Sequence, residues 1–192
     1  LAIGANTAMF SVLDAVLFRK LPFRAPEQLA MLWAESPRQS IREGRSAYWS
    51  FEQWRQQTKT FADMAVFDPV SVTLTTAANA ERIGVVRISP NFFSLLGVQP
   101  FQGRMFSVHD FAQRQSVAII SHRFCKSRFA GSQSVIGSTI DLDGVPCQII
   151  GILPATFEFP LVDPEVWQPY TAFPDWEKRR VQRGSGSWFV IG

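Results

Sequence analysis

The chain has 192 residues, of which 46% are hydrophobic and 18% are charged, and its formal net charge is +3. This composition is typical of a folded globular protein and excludes a disordered tail. The longest basic run is Lys178-Arg179-Arg180, so the sequence gives no support for a nucleic-acid-binding surface.

The first stretch of the chain, LAIGANTAMFSVLDAVLF, is almost entirely apolar. Three structures fit it: a signal peptide, a buried core helix or part of a membrane span. No basic region precedes it, which argues against a complete signal peptide, and it is shorter than the ~20 apolar residues that span a bilayer. Apolar side chains fall on both sides of a helix, which suits lipid or a deep core: Met9, Leu13 and Val16 on one face, and Ile3, Phe10 and Leu17 on the other.

The next segment predicts a strand, a loop and a helix. The short apolar run Leu29–Trp33 is typical of a strand, and residues 37–45 are polar and predict a loop. Ser50 begins a Ser-x-x-Gln pattern that resembles a capping box, so a helix is expected to follow. Phe51 and Trp54 are expected on its inner face.

Two strands joined by a turn are predicted after this helix. Residues 70–75 alternate strictly between apolar and polar, which is typical of a half-buried strand. Residues 83–88 form the returning strand after a turn at 77–80. Ser89 then predicts the N-cap of a helix that Gly97 ends.

The second half of the chain predicts another strand, a helix and a hairpin. Residues 116–120 form a short buried strand, and Ser121 caps a helix that extends to about residue 129. The strongest hairpin signal is Thr139–Val145, because Asp143-Gly144 supplies the positive φ values of a tight turn.

The remaining segments predict a return strand to Leu153, a short strand at 165–170, a charged loop at 178–186 and a last strand at 188–191. Strands outnumber helices, and hairpins are mixed with strand–helix–strand units. The predicted fold class is therefore α+β.

No group of residues in the sequence predicts a catalytic site, a cofactor or a metal site. His109-Asp110 predicts a solvated loop pair, because neighbouring side chains point in different directions. Ser121-His122 lacks the G-x-S-x-G pattern of a nucleophile elbow. Asp141 and Asp143 share one strand face, where solvated carboxylates are more common than a weak divalent-cation site. An interaction or mechanical domain is therefore expected, and not an enzyme.

The two cysteines, Cys125 and Cys147, are too few to complete a zinc site with two histidines. Two buried thiols are favoured over a disulfide. A disulfide between the two residues stays an alternative if the domain is extracytoplasmic.

Aromatic residues cluster at Trp49, Phe51 and Trp54, and again at Phe92 and Phe93. Such clusters form either the sheet-covering face of a helix or an apolar ligand groove. The core face is the more common outcome. Trp49, Trp54, Phe92 and Phe93 are the candidate surface for a partner or cargo.

Stretches along nearly the whole chain share the pattern of one protein family. The most specific is RISPNFFSLLGVQPFQGRMF, which holds Asn91-Phe92-Phe93, Leu96-Gly97-Val98, Pro100 and Gly103-Arg104. GANTAMFSVLDAVLFRKLPF, FEQWRQQTKTFADMAVF, VIGSTIDLDGVPCQIIGILPATFEFP and WFVIG continue the pattern. Together they resemble the extracytoplasmic domain of MacB-like ABC transporter permeases, in particular the large permeases frequent in acidobacteria. One departure is Trp49-Ser50, which stands where Pro-Asp is usual.

The resemblance implies an inner-membrane permease with a two-lobed periplasmic domain. Residues 1–18 are then the C-terminal part of the first transmembrane helix. Residues 19–97 and 186–192 form a mixed α/β lobe similar to the porter domains of efflux pumps. Residues 98–185 form an inserted, mostly β lobe.

The resemblance also implies a mechanical role without catalysis or a cofactor. Family members pass conformational change from a cytoplasmic ATPase to the periplasm. The implied partners are a cytoplasmic ATP-binding subunit, a second permease half, the inner membrane, and a periplasmic adaptor or a lipoprotein or peptide cargo. Two other functions stay open: a non-mechanical periplasmic module that binds cargo or a partner, and a secreted enzyme with an unrecognised site near His109 or His122.

Overall fold

The computed structural model describes residues 23, 26–36, 41–77, 79–160, 162–182 and 186–192. The prediction for residues 1–18 lies outside this part of the chain. The described strands are β1 (Met31–Leu32), β2 (Ala34–Ser36), β3 (Ile41–Gly44), β4 (Ala65–Thr75), β5 (Ala80–Ile88), β6 (Gln102–Gly103), β7 (Val117–Ile120), β8 (Thr139–Leu142), β9 (Val145–Ile152), β10 (Val166–Pro169) and β11 (Phe189–Ile191). The described helices are α1 (Tyr48–Gln57), α2 (Phe92–Leu95), α3 (Val108–Ala112), α4 (His122–Phe129) and α5 (Trp176–Val181).

The described helices are short. Within the residues given above, none combines the length and the apolarity that are needed to cross a lipid bilayer. Three single turns of 3-10 helix complete the elements, at Pro26–Gln28, Gln133–Val135 and Tyr170–Ala172.

The longest strand pair is the antiparallel hairpin of β4 and β5, which the alternating pattern predicted. Its register extends from Phe67 opposite Ile88 to Thr75 opposite Ala80. Val72 is buried whereas Ser71 is exposed, as the alternation requires. This prediction is confirmed, and β4 begins five residues earlier than the pattern indicated.

Six strands of the main sheet form a closed hydrogen-bonded circuit. β4 pairs with β5, β5 with β10, β10 with β7, β7 with β9, β9 with β8, and β8 again with β4. Closure of a sheet on itself leaves these strands no free edge within the circuit. The other three strands of this sheet, β1, β6 and β11, extend it outside the circuit.

The hairpin of β8 and β9 makes the closing contact. Leu74 pairs with Leu142, and Thr75 pairs with Asp141. The turn residue Asp143 has φ 53° and the next residue, Gly144, has φ 79°, as a primed turn requires. This predicted hairpin is confirmed.

Apolar side chains from all six strands fill the interior of the circuit. They are Val72, Leu74, Ile83, Val85, Ala118, Ile120, Ile140, Leu142, Cys147, Ile149 and Val166. The sequence of strand β7 is wholly apolar because both faces of this strand are buried. Ala118 and Ile120 belong to this interior, whereas Val117 and Ile119 belong to a second core on the outside. The predicted buried strand at 116–120 is therefore confirmed.

The second core covers the outer face of the sheet, and α2 packs into it. Its large side chains include Phe67, Phe92, Phe159 and Trp167. A third core, built around Tyr48, Phe51, Trp176 and Trp188, joins α1 and α5 to β4 and β11.

Three of the predictions for individual segments are wrong, those at residues 41–44, Ser50 and residues 176–181. Residues 41–44, predicted as a loop, form β3 and pair with β2. Helix α1 begins at Tyr48 after Ala47, so Ser50 lies inside the helix and does not cap it. Residues 176–181 form α5, because the buried side chain of Trp176 anchors a helix whose charged face remains in solvent.

Strands from both predicted lobes join the same sheet. β4, β5 and β11 come from residues 19–97 and 186–192, whereas β7, β8, β9 and β10 come from residues 98–185. The domain is mixed α/β and rich in sheet, as expected, and the boundaries of the two lobes stay a prediction.

Candidate functional site

Two of the four candidate surface residues lie in the core. Phe92 is 0% exposed and Phe93 is 4% exposed. The Phe92 ring contacts those of Phe67 and Phe159 at centroid distances of 5.8 and 5.5 Å. Because α2 is a single turn wedged into the second core, both adjacent rings are covered. Neither of them offers a partner surface, which corrects that part of the prediction.

Trp54 does lie at a groove, together with a residue that the sequence did not single out. The groove has a volume of about 390 Å³ and is lined by Leu32, Trp33, Trp54, Gln57, Thr58 and Met64. Trp33 is 39% exposed, and its ring contacts the Phe189 ring edge-on, with a distance of 5.8 Å between the ring centroids. Trp49 is half-buried on α1 and is not one of the lining residues. We call this groove the Trp33–Trp54 groove.

Sequence reasoning missed Trp33 because it lies at the end of a two-residue strand. A lone tryptophan there gives no periodic signal, and β1 and α1 meet only in the tertiary structure. An exposed tryptophan beside an apolar groove is a recognised feature of interaction surfaces.

The family-like motif around Asn91 ties α2 to the start of β4. The Asn91 side-chain amide donates to Asp63 Oδ2 at 2.7 Å and to the Met64 carbonyl at 2.8 Å. Ser89 Oγ donates to Asn91 Oδ1 at 2.9 Å and accepts from the Val66 N–H at 3.1 Å. Ser89 is therefore a link between strand and helix, and it is not the predicted N-cap, a position that Asn91 occupies without a side-chain cap.

The Gly103-Arg104 motif has a second structural role. Gly103 has φ +79°, and a Cβ atom there would lie 2.2 Å from the Ile150 carbonyl oxygen. The Arg104 N–H donates to that same oxygen at 2.8 Å. Only glycine allows β6 to approach β9 this closely.

Asp110 is not the solvated loop residue that the sequence predicted. It is 1% exposed, and it forms a capping box with Ser107 at the start of α3. The Arg104 guanidinium, together with the Ser107 N–H and hydroxyl, lowers the pKa of Asp110 to about 2. The neighbouring His109 is exposed, so the two residues do not form a catalytic pair.

A row of buried polar side chains crosses the sheet next to the third core. Asp68 lies opposite Arg87 on β5, and Arg87 lies beside Gln168 on β10. The Arg87 guanidinium carbon lies 3.9 Å from the centroid of the Phe173 ring, a cation–π contact. Burial raises the pKa of Asp68 and lowers that of Arg87.

The remaining candidate residues have structural roles. Asp141 Oδ1 accepts from the Gly144 N–H at 2.8 Å, and Asp143 Oδ1 accepts from the Thr73 N–H at 2.8 Å. Both carboxylates thus fix the hairpin. Among the described residues, no three His, Cys, Asp or Glu side chains are grouped as metal ligands.

Ser121 caps α4, as predicted. Its Oγ accepts from the Phe124 N–H at 3.0 Å. Cys125 and Cys147 are both free and buried, and burial raises the pKa of each thiol. Two buried thiols, the favoured alternative, are therefore confirmed.

Comparison with known proteins agrees with this geometry. The sequence profile of the MacB-like periplasmic core domain matches residues 1–191. The macrolide export ATP-binding/permease protein MacB of Pasteurella multocida (strain Pm70) is 31% identical over 89 residues. That alignment covers 45% of this chain and 13% of the relative, so the chain spans a small part of the length of that protein.

Solved structures share the fold. The periplasmic region of MacB from Actinobacillus actinomycetemcomitans superposes with a TM-score of 0.61 and 15% identity, over 85% of this chain and 72% of that one. The extracellular domain of the noncanonic ABC-type transporter YknZ from Gram-positive bacteria superposes with a TM-score of 0.61 and 14% sequence identity. The superposition covers 85% of this chain and 81% of that one. A domain of a putative permease from Porphyromonas gingivalis superposes with a TM-score of 0.60 and 12% sequence identity. The superposition covers 77% of this chain and 62% of that one.

The family match extends over nearly the whole chain, including the Asn91 and Gly103-Arg104 motifs whose contacts join the sheet to its helices. The chain belongs to the family of MacB-like periplasmic core domains.

Proposed function

We propose that this chain is the periplasm-facing domain of an ABC-type export permease in the bacterial inner membrane. In this role it transmits movement, driven by a cytoplasmic ATPase, to cargo or partners in the periplasm. The family match and the likeness to MacB support the transport role. No bond is made or broken by this domain in the proposed mechanism.

The closed strand circuit is the observation that carries the mechanical part. The β4–β5 hairpin contributes to the circuit interior through Val72 and Val85, and to the second core through Phe67 and Ile88. Cores at protein density deform little, so a displacement at one end of this hairpin reaches the other end. The described sheet therefore acts as one body, which suits a rigid lever between two states.

The proposed partners follow from the permease role. They are a cytoplasmic ATP-binding subunit reached through membrane helices, a second permease half, and a periplasmic adaptor or a lipoprotein or peptide cargo. Residues 1–18 serve in this proposal as the end of a membrane helix. The two proposed lobes are residues 19–97 with 186–192, and residues 98–185. Strands β4 and β5 belong to the first lobe and pair with strands of the second.

Distances between spin labels in the assembled transporter test the mechanical role. Gln56 on α1 and Lys126 on α4 are exposed, and both native thiols are buried, so Gln56→Cys and Lys126→Cys give selective labels. We expect ATP to change the distance from the Lys126 label to a label on the other permease half. The distance between the Gln56 and Lys126 labels is expected to stay constant.

A hydrolysis-deficient ATPase variant provides the control, since it should trap one of the two distances. A constant distance between the permease halves with and without ATP would overturn the mechanical role. An equal change within one domain would show that the described sheet is not a rigid body.

The Trp33–Trp54 groove favours a second candidate function, a module that binds a partner without moving. In this case ATP should leave the distance between the permease halves unchanged, and Trp33→Ala should reduce export. Val108→Ala is the control, because Val108 is also an exposed apolar residue and does not line this groove. Equal export by the wild type and by Trp33→Ala would exclude a role for the groove.

A further inference from the structure

Asp68 lies at the boundary between the circuit interior and the third core. Side chains two residues apart point to the same side of a strand, and on this side of β4 the two cores meet. Val66 belongs to the third core, whereas Val72 and Leu74 belong to the circuit interior. Asp68 lies between these apolar groups and is 2% exposed. A carboxylate at this depth is costly to charge unless a cation contacts it.

Arg87 lies opposite Asp68 in the strand register, yet the two side chains make no ion pair. The Arg87 guanidinium carbon lies 3.9 Å from the centroid of the Phe173 ring, and the Nε atom has no acceptor within the described part of the chain. The ion pairs of the described residues all involve other carboxylates. The direct partner of Asp68 is the Ser187 hydroxyl, which donates a hydrogen bond to it. Among the described residues, the carboxylate is therefore buried without a contacting cation.

Cations from three parts of the fold face Asp68 from further away. They are Arg45 after β3, Arg87 on β5 and Arg179 on α5. Asp143 and Asp175 offset part of this charge through Arg87, and Asp175 accepts a hydrogen bond from Arg179 at 2.7 Å. The cations favour the charged form of Asp68, whereas burial favours the neutral form. Burial is the larger effect, so the pKa of Asp68 is raised above its usual range.

Helix α5 closes over this polar site through two aromatic side chains. The Arg179 guanidinium carbon lies 4.2 Å from the centroid of the Phe173 ring, which Arg87 contacts from the sheet. Trp176, at the start of the helix, is 6% exposed and packs in the third core. A helix of six residues with so few anchoring side chains can open locally without unfolding the sheet. Its opening would bring water to the Asp68 carboxylate.

We propose that Asp68 is a proton switch, which holds α5 against the sheet when it is protonated and releases the helix when it is charged. While α5 is closed, burial makes the carboxyl group bind its proton more tightly than it does in contact with water. Acidification therefore stabilises the closed position, and this stabilisation is lost as the pH rises and Asp68 becomes charged. The departure of Arg179 acts in the opposite direction, but burial has the larger effect. The switch does not require the transport role proposed above.

Amide hydrogen exchange of the full chain measures the opening of α5. The Arg179 N–H donates to the Asp175 carbonyl at 3.1 Å, so its protection reports whether the helix is closed. After correction for the intrinsic effect of pH on exchange, we expect its protection factor to rise at least about twofold from about pH 8 to about pH 4. ¹³C NMR of the Asp68 carboxyl carbon follows its protonation in the same sample. The two transitions should have the same midpoint.

Asp68→Asn removes the charge while nearly retaining the size of the side chain. Protection of the Arg179 amide should then be independent of pH, and at about pH 8 it should exceed that of the wild type at least about twofold. Asp163→Asn is the matched control, because the ion pair of Asp163 with Arg123 is exposed. This control should retain the wild-type pH profile.

Two substitutions at Arg179 test the coupling between the charges. Arg179→Gln removes a cation that faces Asp68, so it should raise the pKa of Asp68 and move its midpoint to higher pH. Protection of the residue 179 amide should move with that midpoint. Arg179→Lys retains the cation and should keep both midpoints near those of the wild type. This pair decides the question even if Asp68→Asn does not fold.

Three results would overturn the proposal. The first is an equal pH profile of α5 protection in the wild type and Asp68→Asn, which would assign the effect to another group. The second is weaker protection in Asp68→Asn at the higher pH, which would show that the charged carboxylate holds the helix. The third is a midpoint of helix protection that differs from that of Asp68, in the wild type or in Arg179→Gln.

Discussion

Arg104 and Asp110 are joined by two parallel hydrogen bonds, from Nη1 to Oδ2 at 2.7 Å and from Nη2 to Oδ1 at 2.8 Å. The Asp110 side chain is 1% exposed, whereas that of Arg104 is 50% exposed. The pair closes the segment between β6 and α3 over the second core. It places the family-like Gly103-Arg104 motif in a structural role.

Removing the charge of Asp110 tests this role. We expect Asp110→Asn to lower the free energy of unfolding by about 2 kcal/mol, because the buried carboxylate accepts charge-assisted bonds from Arg104 and Ser107. Urea denaturation followed by circular dichroism measures the change. The matched control is Asp163→Asn, whose ion pair with Arg123 is exposed and should contribute less than about 1 kcal/mol. Equal losses in the two variants would contradict the assignment.

The same carboxylate predicts a pH dependence of stability. Its pKa is lowered in the folded state from 3.8 to about 2, so the folded protein binds this proton less readily than the unfolded chain does. The stabilisation is therefore complete above about pH 5 and is lost as the pH falls toward 2. Because Arg104 is half exposed and partly screened by solvent, the loss should be about 1–2 kcal/mol.

The difference between the wild type and Asp110→Asn isolates this contribution. Asp68 acts in the opposite direction, because burial raises its pKa, but it is unchanged in both proteins. The difference in unfolding free energy should shrink as the pH is lowered from 5 to 2. A difference that is constant over this range would rule out Asp110 as its source.

Gly103→Ala tests the close approach of β6 to β9. The new Cβ atom would lie 2.2 Å from the Ile150 carbonyl oxygen, at a residue with φ +79°. We expect a loss of about 3 kcal/mol or more, since the strand must shift and overpacking is added to the conformational strain. Gly131→Ala is the matched control, because it has φ +71° and nothing within 4 Å. It should cost about 1–2 kcal/mol, the cost of the left-handed conformation alone.

Asp143→Ala tests how the strand circuit closes. Asp143 accepts from the Thr73 N–H through its side chain and donates to the Thr73 carbonyl through its backbone. Alanine removes the acceptor and disfavours the positive φ of the turn. Hydrogen exchange at the Thr73 amide should become faster, whereas exchange at Val66 should stay unchanged. Asp143→Asn retains both an acceptor and the turn preference, so it should retain protection at Thr73.

The local elements of this protein could be predicted because neighbouring residues encode them. The alternation in residues 70–75 specifies a half-buried strand, and Asp143-Gly144 specifies a tight turn. Ser121 supplies its own cap for α4. In each case the physical cause lies within a few residues of the feature.

The candidate site could be predicted only in part. Trp54 was found because aromatic residues cluster on α1, but Trp33, which lines the same groove, comes from another part of the chain. In the sequence, the adjacent Phe92 and Phe93 look the same as an aromatic cluster on a surface. In the structure, the second core covers them. Composition gives the hydrophobicity of a side chain, whereas its exposure depends on what packs over it.

The amino-acid sequence alone predicts the strand-rich class, the β4–β5 and β8–β9 hairpins, the cap of α4 and the family of the domain. Three features depend on the folded chain: β8 pairs with β4, Asp110 is buried against Arg104, and Trp33 and Trp54 line one groove. These contacts join residues from separate elements of the fold. Their formation depends on the packing of the whole sheet, because local backbone preferences do not specify which distant surfaces will exclude water together.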